Sequence, residues 1–404
     1  MLAREVDKVI GLTKAASQGL NDKRDQTRIE HSIEEMLQQR IYALVMGYED
    51  LNDHNSLRND LAVQISVDKP SSLASPSTLC RFENNITHEE NIHMSKIMVD
   101  NFIQSYKKAP KEIIIDADPT DDAAHGNQEN NYYHGYYKHY CFLPLHIYCG
   151  KHLLVSYLRP SNIDGAKHVG AIMTLLVKYI RRFWPNTKII FRADGGLCRD
   201  HILRWFERNN VSYIVGYTCN SRIIKATKDL MARAAVDYEK TGEKQKLFDQ
   251  IYYSAHTWKS GDRKVIVKAE YSELGKNLRC IITTLEDLPK ELYEYYCLRG
   301  DMENRIKELK LDCYSGRTSC HGWEANQFRL LLSSYAYILL DSIRRLALKN
   351  ANLKNSTCAT IRTSLLKVGA LITVTSRRIH FAISKYFAKK EIFATAAKNL
   401  ILLH

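Results

Sequence analysis

The sequence lacks a long apolar run and has no closely spaced cysteine pair. Its longest nearly apolar stretch, residues 328–340, contains Arg329 and two serines and is shorter than the roughly 18–20 residues that cross a bilayer. Acids at Glu5 and Asp7 stand where a secretory signal needs an apolar core. No Cys-x-x-Cys pair occurs among the ten cysteines, which argues against a zinc cage or a disulfide framework. We therefore expect a cytoplasmic protein with reduced thiols and no membrane partner.

Composition indicates a folded protein with an uneven positive charge. A chain of 404 residues is too long for one compact core, so we expect two to four structural units. The net charge is +13, and residues 341–404 alone hold twelve Lys or Arg against two acids. A basic segment of this kind is typical of proteins that bind a polyanion, although a solubilising helical surface has the same composition.

The first part of the chain, to about residue 109, reads as helices separated by polar turns. Apolar residues recur at steps of three and four over residues 28–46, which predicts an amphipathic helix. Over residues 71–83 a Ser/Pro break precedes a short segment that contains Arg81. This pattern suits a helix-turn-helix that binds DNA, but any corner between two helices gives a similar one.

From Pro110 the pattern changes to strands alternating with helices. We predict, in order, strands at 111–118, 141–149 and 153–158, a helix at 166–183, a strand at 187–194, a helix at 199–209 and a strand at 211–217. This order indicates a mixed α/β sheet flanked by helices. Residues 219–287 then read as a charged helix and three antiparallel strands, inserted within the α/β unit, and the chain is largely helical after Pro289.

Two of the predicted strands end in aspartate, Asp118 and Asp194. Groups at the carboxyl ends of strands line the crevice where ligands bind in an open α/β sheet. Two carboxylates brought together repel unless one is protonated or a cation lies between them, and Mg²⁺ suits such hard oxygen ligands. Two such ions would activate the attacking oxygen and stabilise the leaving oxygen of a phosphodiester. The alternative is that each aspartate forms a turn or caps a helix.

A polar stripe follows near residue 300. If the segment is helical, five side chains share one face: Tyr296, Arg299, Glu303, Lys307 and Lys310. Facing a metal site and DNA, the acid would bind metal and the three bases would hold phosphates. The alternative is a solvated face with a Glu303–Lys307 salt bridge.

The spacing Tyr296-x2-Arg299-x3-Glu303-x6-Lys310 resembles the Y-R-E-K motif of bacterial insertion-sequence transposases of the insertion-sequence-four superfamily. Other stretches resemble its insertion-sequence thirteen-eighty group: Asp116-Ala-Asp118-Pro-Thr-Asp-Asp, His125-Gly-x-Gln128-Glu129, Arg159-Pro-Ser-Asn162, Arg192-Ala-Asp194-Gly-Gly and Asn326-Gln-Phe-Arg329-Leu. The resemblance covers nearly the whole chain. Members of this group usually carry a further segment before the part that resembles residues 2–7.

The resemblance implies an α/β, ribonuclease-H-like mixed sheet core with an antiparallel β insertion, flanked by N- and C-terminal helical regions. The implied domains are a helical DNA-binding region (1–109), the catalytic core (110–218 and 288–345), the β-rich insertion (219–287) and a basic C-terminal helical region (346–404). Asp118, Asp194 and Glu303 would be the metal-binding catalytic triad. Asp116 and Asp118 point to the same face of a strand, so geometry leaves both open. The Pro-Thr pair that follows Asp118 resembles the group's residues after its first catalytic aspartate and favours Asp118.

The implied activity is cut-and-paste DNA transposition with two Mg²⁺ or Mn²⁺ ions, in the bacterial cytoplasm at the nucleoid. The partners would be double-stranded DNA (terminal inverted repeats and target DNA) and a second copy of the chain in the synaptic complex. Tyr296, Arg299, Lys307 and Lys310 would contact DNA, and Trp258 would stabilise a flipped base in a hairpin intermediate. Two alternatives remain, a metal-dependent DNA nuclease of the same fold and a non-catalytic transposon-derived DNA-binding protein.

Overall fold

The computed structural model describes residues 1–259 and 261–403 and is organised around one eight-stranded sheet in the order β6-β5-β1-β7-β8-β11-β10-β9. Its strands are β1 (Glu112–Pro119), β5 (Leu145–Cys149), β6 (His152–Tyr157), β7 (Lys188–Ala193), β8 (Ser212–Tyr217), β9 (Gln245–Tyr253), β10 (Arg263–Ser272) and β11 (Gly275–Thr283). β1, β7 and β8 are parallel, whereas β5, β6 and the last three strands pair antiparallel. This is the mixed parallel and antiparallel sheet that the sequence predicts.

Helices cover both faces of this sheet. On one face, β-branched residues such as Ile113 and Ile115 pack against α8 (Val169–Phe183) and α9 (Asp200–Arg208). On the other face, Ile190 and Ile214 contact α12 (Pro289–Cys297). The runs of Ile and Val are buried on both sides, as expected for central strands of an α/β sheet. The predicted mixed α/β class is therefore confirmed.

The part of the chain before β1 is helical and is here called the helical unit. Its helices are α1 (Leu2–Ile10), α2 (Leu12–Ser17), α3 (Ile33–Met46), α4 (His54–Leu57), α5 (Leu61–Ser66), α6 (Pro76–Asn84) and α7 (His88–Gln104). Capping boxes at Ser32 and Thr87 define the starts of α3 and α7. The long helix α14 (Trp323–Ser342) is buried along nearly its whole length and packs against α3, α7 and β6. This helix joins the helical unit to the sheet.

The segment predicted as an insertion contains α10 (Ser221–Ala226), α11 (Lys228–Thr241) and strands β9 to β11. β11 pairs with β8, so the insertion lengthens the central sheet instead of forming a separate one. A disulfide joins Cys219 and Cys280. The expectation that all ten cysteines are reduced thiols is wrong for this pair, because β8 and β11 are neighbours and bring the two residues together.

Three further features differ from the prediction. The segment after β1 contains a small sheet of β2 (Asp122–Ala123), β3 (Tyr132–His134) and β4 (His139–Phe142). The polar stripe is divided between α12 and α13 (Gly300–Leu311), with the break at Leu298 and Arg299. The C-terminal region is not helical throughout, because a hairpin of β12 (Ala370–Val374) and β13 (Ile379–Ile383) lies between α15 (Cys358–Ile361) and α16 (Lys390–Ile401).

Across the two described ranges, we find no helix that is both long enough and apolar enough to span a bilayer.

Candidate active site

The first two predicted carboxylates lie side by side at one end of the sheet. β1 and β7 run parallel with Ala117 opposite Ala193, so Asp118 and Asp194 follow at equivalent positions on adjacent strands. Asp194 accepts a hydrogen bond from the backbone N–H of Gly196 at 3.0 Å, which orients its carboxylate at the start of a 3₁₀ turn. Parallel pairing of two β-branched strands is thus what brings these two acids together.

The third carboxylate comes from α13 and is connected to the first by one arginine. Arg299 donates hydrogen bonds to Asp118 at 3.1 Å and to Glu303 at 2.6 Å. The guanidinium therefore bridges the end of β1 and the first turn of α13. A solvated stripe would pair Glu303 with Lys307. In the structure Glu303 pairs with Arg299 instead.

Asp118 has an abnormal protonation equilibrium. Burial and then the negative charge of Asp194 raise the pKa of Asp118 to about 7, with Glu303 adding to the shift and Arg299 opposing it. Two of the three carboxylates thus contact one arginine, the charge of the third acts on the first, and the first resists ionisation near neutral pH. A divalent cation between them would relieve this repulsion.

The donor set fits a hard divalent cation. Asp118, Asp194 and Glu303 offer only carboxylate oxygens, the ligands that Mg²⁺ and Mn²⁺ prefer. The Glu303 side chain is 56% exposed and that of Asp118 is 18% exposed, so the group opens to solvent on the Glu303 side. This opening would leave room for waters and substrate oxygens around a cation held there.

Asp116 has a different environment from Asp118. Its two carboxylate oxygens accept hydrogen bonds from Arg192 at 2.6 and 2.9 Å, and both side chains are buried. Arg192 also donates to the backbone carbonyl of Tyr295 at 2.8 Å. Asp116 therefore ties β1 to β7 and, through Arg192, to α12, and its oxygens are already occupied.

The hydroxyl of Tyr296 lies close to the backbone of Gly216 in β8, at the same end of the sheet. A Cβ atom at Gly216 would lie 2.7 Å from the Tyr296 hydroxyl oxygen and 2.8 Å from the backbone nitrogen of Gly195. Burial raises the pKa of the Tyr296 hydroxyl, and the charge of Asp194 raises it further. Sequence reasoning did not select Gly216. Its only sequence signal is a glycine inside an otherwise β-branched and aromatic strand.

The structure separates the two lysines of the stripe. Lys310 donates hydrogen bonds to the side chains of Thr120 and Asp121, at 3.3 and 3.1 Å, so it holds the segment that follows Asp118. Lys307 is exposed on α13. That both lysines contact DNA phosphates stays a prediction. For Lys310, the hydrogen bonds to Thr120 and Asp121 also hold the segment after Asp118 in position.

Trp258 lies in the insertion and is partly buried. Its ring packs against Tyr217 and Tyr253 with centroid distances of 5.6 Å, and the Arg263 guanidinium stands 4.8 Å from its ring. These contacts engage the ring within the protein, so a flipped base would have to compete with them. Its role in holding a flipped base stays a prediction.

Several motif residues outside the triad make structural cross-links. The Gln128 amide donates to the backbone carbonyls of Thr318 and Cys320, and Glu129 accepts from the backbone N–H of Trp323 at 2.7 Å. These bonds join the segment after β2 to the start of α14. They give His125-Gly-x-Gln128-Glu129 a role that could not be inferred from sequence, because the partners lie about 190 positions away.

Motif residues on α14 and before α8 act in the same way. Gln327 connects α14 to β6 by accepting from the N–H of Leu158 at 2.7 Å. Arg329 donates to the buried Glu83 of α6 at 2.7 Å. Arg159 donates to three backbone carbonyls, including that of Leu143 at 2.9 Å. These residues hold the helical unit and the sheet in place around the carboxylates.

Among the described residues, the side chains that bring three possible metal-ligand atoms within 4.8 Å of one another are a different set, Glu308, Asp312 and Cys358. Glu308 already forms ion pairs with Arg344 and with Arg305 and accepts the N–H of Cys358. Asp312 accepts the N–H of Ala359 at 2.9 Å. Because protein cations and N–H groups satisfy these acids, the cluster is a structural ion-pair network.

Comparison with known protein families identifies the class of protein that this fold and this site define. The family model described as transposase DDE domain group 1 matches residues 1–404, and the chain belongs to that family. It is therefore a DDE transposase, a member of a family whose domain catalyses DNA transposition. The narrower resemblance to the insertion-sequence-four superfamily and the thirteen-eighty group stays a prediction.

Similarity to individual proteins is limited. No curated protein matches the chain significantly. Among solved structures, the cryo-EM structure of the piggyBac transposase synaptic complex with hairpin DNA is similar, with a TM-score of 0.46 and 12% sequence identity, over 99% of this chain and 80% of that chain.

Proposed function

We propose that this transposase cuts the terminal inverted repeats of its own insertion sequence and joins the freed ends to target DNA. The observation that carries the proposal is the convergence of Asp118, Asp194 and Glu303 from β1, β7 and α13 at one open end of the sheet. A phosphodiester placed there would meet three carboxylates, one arginine and an exposed helix face. This arrangement suits metal-dependent phosphoryl transfer.

Asp118, Asp194 and Glu303 would hold two Mg²⁺ or Mn²⁺ ions, which when bound stabilise the charge that develops on the attacking and leaving oxygens. The protein itself supplies position and charge. Gly196 orients Asp194, and Arg299 holds Asp118 and Glu303 at a fixed spacing. The Arg299 guanidinium, which lies between Asp118 and Glu303, would also be placed to form a bidentate contact with a DNA phosphate.

The remaining predicted contacts are proposed for the strand that is cut. Lys307 is exposed on the same helix as Glu303 and can bind a phosphate next to the scissile one. Tyr296 would hydrogen-bond to a phosphate or sugar through its hydroxyl, and Trp258 would contact a base of the transposon end. Lys310 acts mainly by holding Thr120 and Asp121, and so fixes the end of β1.

We assign the larger DNA contacts to the regions that flank the sheet. The proposed division is a DNA-binding helical region at 1–109, a catalytic core at 110–218 and 288–345, an insertion at 219–287 and a basic region at 346–404. Arg344, just before the basic region, and Arg362, inside it, are buried in the protein. The other Lys and Arg side chains of the basic region are exposed, namely Lys349, Lys354, Lys367, Arg377, Arg378, Lys385, Lys389, Lys390 and Lys398. Bringing two DNA ends together implies a dimer, and the setting would be the bacterial cytoplasm at the nucleoid.

A strand-joining assay tests this function. A labelled duplex that carries the inverted repeat found beside the gene would be incubated with the full chain, Mg²⁺ and supercoiled plasmid. We expect nicking at the repeat boundary, followed by joining of the new 3′-hydroxyl end to plasmid. A duplex of the same length with a scrambled repeat is the control and should be neither cut nor joined.

The two alternatives give different products. A nuclease of the same fold would cut the duplex but would not join a pre-cut 3′-hydroxyl end to plasmid. A non-catalytic DNA-binding protein would retain the repeat in a binding assay and leave it uncut in Mg²⁺ and in Mn²⁺. Either result would overturn the proposal that the chain completes both steps.

A further inference from the structure

A tyrosine-rich hairpin lies next to the carboxylates. Residues 130–140, here called the tyrosine hairpin, contain β3, a four-residue turn and the start of β4, with five tyrosines at positions 132, 133, 136, 137 and 140. Tyr133 stands directly opposite Tyr140 in the pairing of β3 with β4, and His134 stands opposite His139. Because side chains alternate across a strand, the two tyrosines point to one face and the two histidines to the other.

The histidine face is directed toward the active site. The imidazole of His139 lies 3.1 Å from the carboxylate of Asp121, three residues after Asp118, and Asp121 is also the partner of Lys310. The Tyr137 ring packs on His134 at 4.9 Å. Burial raises the pKa of Tyr137 to about 12, with the charges of Asp121 and then Asp118 adding to the shift. The tip of the hairpin is thus within electrostatic reach of the first catalytic carboxylate.

The tyrosine rings are left open to solvent. Tyr133, Tyr136 and Tyr140 are 56%, 83% and 60% exposed. They contact one another mainly edge to face, with centroids 5.7 Å apart for Tyr133 and Tyr140 and 5.0 Å apart for Tyr136 and Tyr137. Edge-to-face packing fixes the rings in place and leaves ring faces uncovered. A scattered surface tyrosine needs no explanation, but a fixed cluster beside a catalytic site does.

The charge of the hairpin favours an anionic polymer over a protein surface. No acid occurs among residues 130–140, which include Lys138, His134 and His139. The exposed positions are aromatic and polar, with no exposed Leu, Ile, Val or Met among them, so the hairpin lacks the aliphatic patch of a protein interface. Aromatic side chains with interspersed bases are the usual platform for unpaired nucleotides, whose bases stack on the rings.

We propose that the tyrosine hairpin binds unpaired nucleotides of the DNA strand that enters the carboxylate site. In a duplex both faces of each base are already stacked, so only a base released from its partner can stack on these rings. The hairpin would hold such bases on Tyr133, Tyr136 and Tyr140, and a phosphodiester further along the same strand would lie at Asp118. This proposal rests on the proposed function, because it takes the strand at Asp118 to be DNA.

The test compares tailed and blunt DNA. Binding of the full chain would be measured by fluorescence anisotropy, in EDTA so that no strand is cut, to a duplex of about 20 base pairs with and without a dT tail long enough to cover the rings. We expect the wild type to prefer the tailed duplex. Tyr133→Ala/Tyr140→Ala and Tyr136→Ala should each lower this preference by about 5- to 150-fold, since one stacked base contributes about 1–3 kcal/mol.

Two controls make the result specific. Tyr133→Phe/Tyr140→Phe keeps the rings and should keep the tail preference, which separates stacking from a folding defect. Tyr252→Ala removes a tyrosine of similar exposure, 68%, from β9, which is an edge strand of the central sheet. This variant should leave the preference for the tailed duplex unchanged. Equal loss in the Phe and Ala variants, or no loss in the Ala variants, would overturn the proposal.

Together with the strand-joining assay, this experiment distinguishes failure of the inference from failure of the proposed function. If the wild type cuts and joins inverted-repeat DNA while the Ala variants keep the tail preference, the tyrosine hairpin is not the site and the transposase activity stands. If the chain binds neither the tailed nor the blunt duplex and does not cut inverted-repeat DNA, both proposals fail. Tail preference that depends on the tyrosines, in a chain that never cuts, would support the hairpin site and contradict the catalytic proposal.

Discussion

Asp116 and Asp118 lie two residues apart on the same face of β1 but have different partners. Both carboxylate oxygens of Asp116 accept hydrogen bonds from the buried Arg192. Asp118 shares Arg299 with Glu303, and the negative charge of Asp194 raises its pKa. One aspartate therefore contributes mainly to stability, and the other is held in a repulsive environment that a cation would relieve.

Exchanging each carboxylate for an amide should separate these roles. Asp116→Asn leaves the buried Arg192 without its counter-charge and should lower the free energy of unfolding by about 3–5 kcal/mol. Asp118→Asn removes a repelling charge, so its unfolding free energy without metal should be unchanged or higher, while Mg²⁺-dependent cleavage falls by about 100-fold or more. Urea denaturation and a cleavage assay measure the two effects. A strongly destabilised Asp118→Asn with residual cleavage would reverse the assignment.

Asp122 gives the structure a pH-dependent stability. This side chain is buried on β2, neither of its carboxylate oxygens has a hydrogen-bond partner among the residues that the structure describes, and burial raises its pKa to about 8. The unfolded chain releases this proton from about pH 4, whereas the folded chain holds it until about pH 8. The contribution of Asp122 to stability is therefore full below about pH 4 and is lost as the pH rises toward about 8.

Asp122→Asn removes this titration. At about pH 8 the variant should be more stable than the wild type, and this advantage should shrink toward about pH 5 by about 1.4 kcal/mol per pH unit, because Asn has no proton to release. Chemical denaturation at both pH values measures it. Asp312→Asn, which changes a carboxylate with a backbone partner, should not reproduce the pH dependence. A variant less stable than the wild type at the higher pH would show that Asp122 is ionised and paired.

At the scale of elements, the contact between β8 and α12 depends on one glycine. Gly216→Ala would place a methyl group 2.7 Å from the Tyr296 hydroxyl and 2.8 Å from the nitrogen of Gly195, so Tyr296 or the turn after Asp194 must move. We expect cleavage to fall by about 10-fold or more, because small misplacement of site residues is costly, while the fold is retained. Gly369→Ala, where an added Cβ meets nothing within 4 Å, is the matched control. Equal activity of both variants would mean that Tyr296 has no positioning role.

The elements that carry the triad were predictable from local sequence, and their partners were not. β1 and β7 are β-branched runs that end in aspartate, and this pattern alone indicates buried strands with acids at their tips. The break between α12 and α13 was missed because Gly300 follows Arg299 inside an otherwise helical pattern. A single glycine in a helical pattern is often tolerated, so it did not predict a boundary.

The small strands show a second reason for failure. β3 and β4 have three and four residues and expose their tyrosines, so no apolar alternation marks them. β12 and β13, by contrast, are β-branched runs around the polar turn at 375–378, a hairpin signal that the basic composition of the tail obscured. The Cys219–Cys280 bond and the Arg192–Asp116 pair depend on which strands are neighbours, which spacing along the chain does not specify.

At the scale of the whole molecule, positive charge is concentrated on the C-terminal region. Arg344 and Arg362 belong to buried hydrogen-bond networks, so the charge available to DNA comes from the exposed side chains, including Arg377 and Arg378 at the turn between β12 and β13. Each phosphate that a basic side chain neutralises releases counterions and makes DNA affinity depend on salt.

Arg377→Ala/Arg378→Ala should therefore weaken binding of inverted-repeat DNA and flatten its salt dependence. We expect the slope of log K against log salt to become shallower by about 1–2, roughly 0.9 for each phosphate that the variant no longer neutralises. Lys188→Ala is the control, because Lys188 is the first residue of β7 and Asp194 follows the last residue of the same strand. This variant should leave the slope unchanged. An unchanged slope in the double variant would remove this hairpin from the DNA interface.

The central claim is that Asp118, Asp194 and Glu303 act together on DNA, and Mg²⁺-dependent cleavage of inverted-repeat DNA by their alanine variants tests it most directly. The account predicts that Asp118→Ala, Asp194→Ala and Glu303→Ala each cut at least about 100-fold more slowly than the wild type while binding the same DNA at least as tightly, because a negative charge is removed. Asp301→Ala, which removes an exposed acid from the same helix, should cut at the wild-type rate. Wild-type cleavage by the Asp194 or the Glu303 variant would contradict the account.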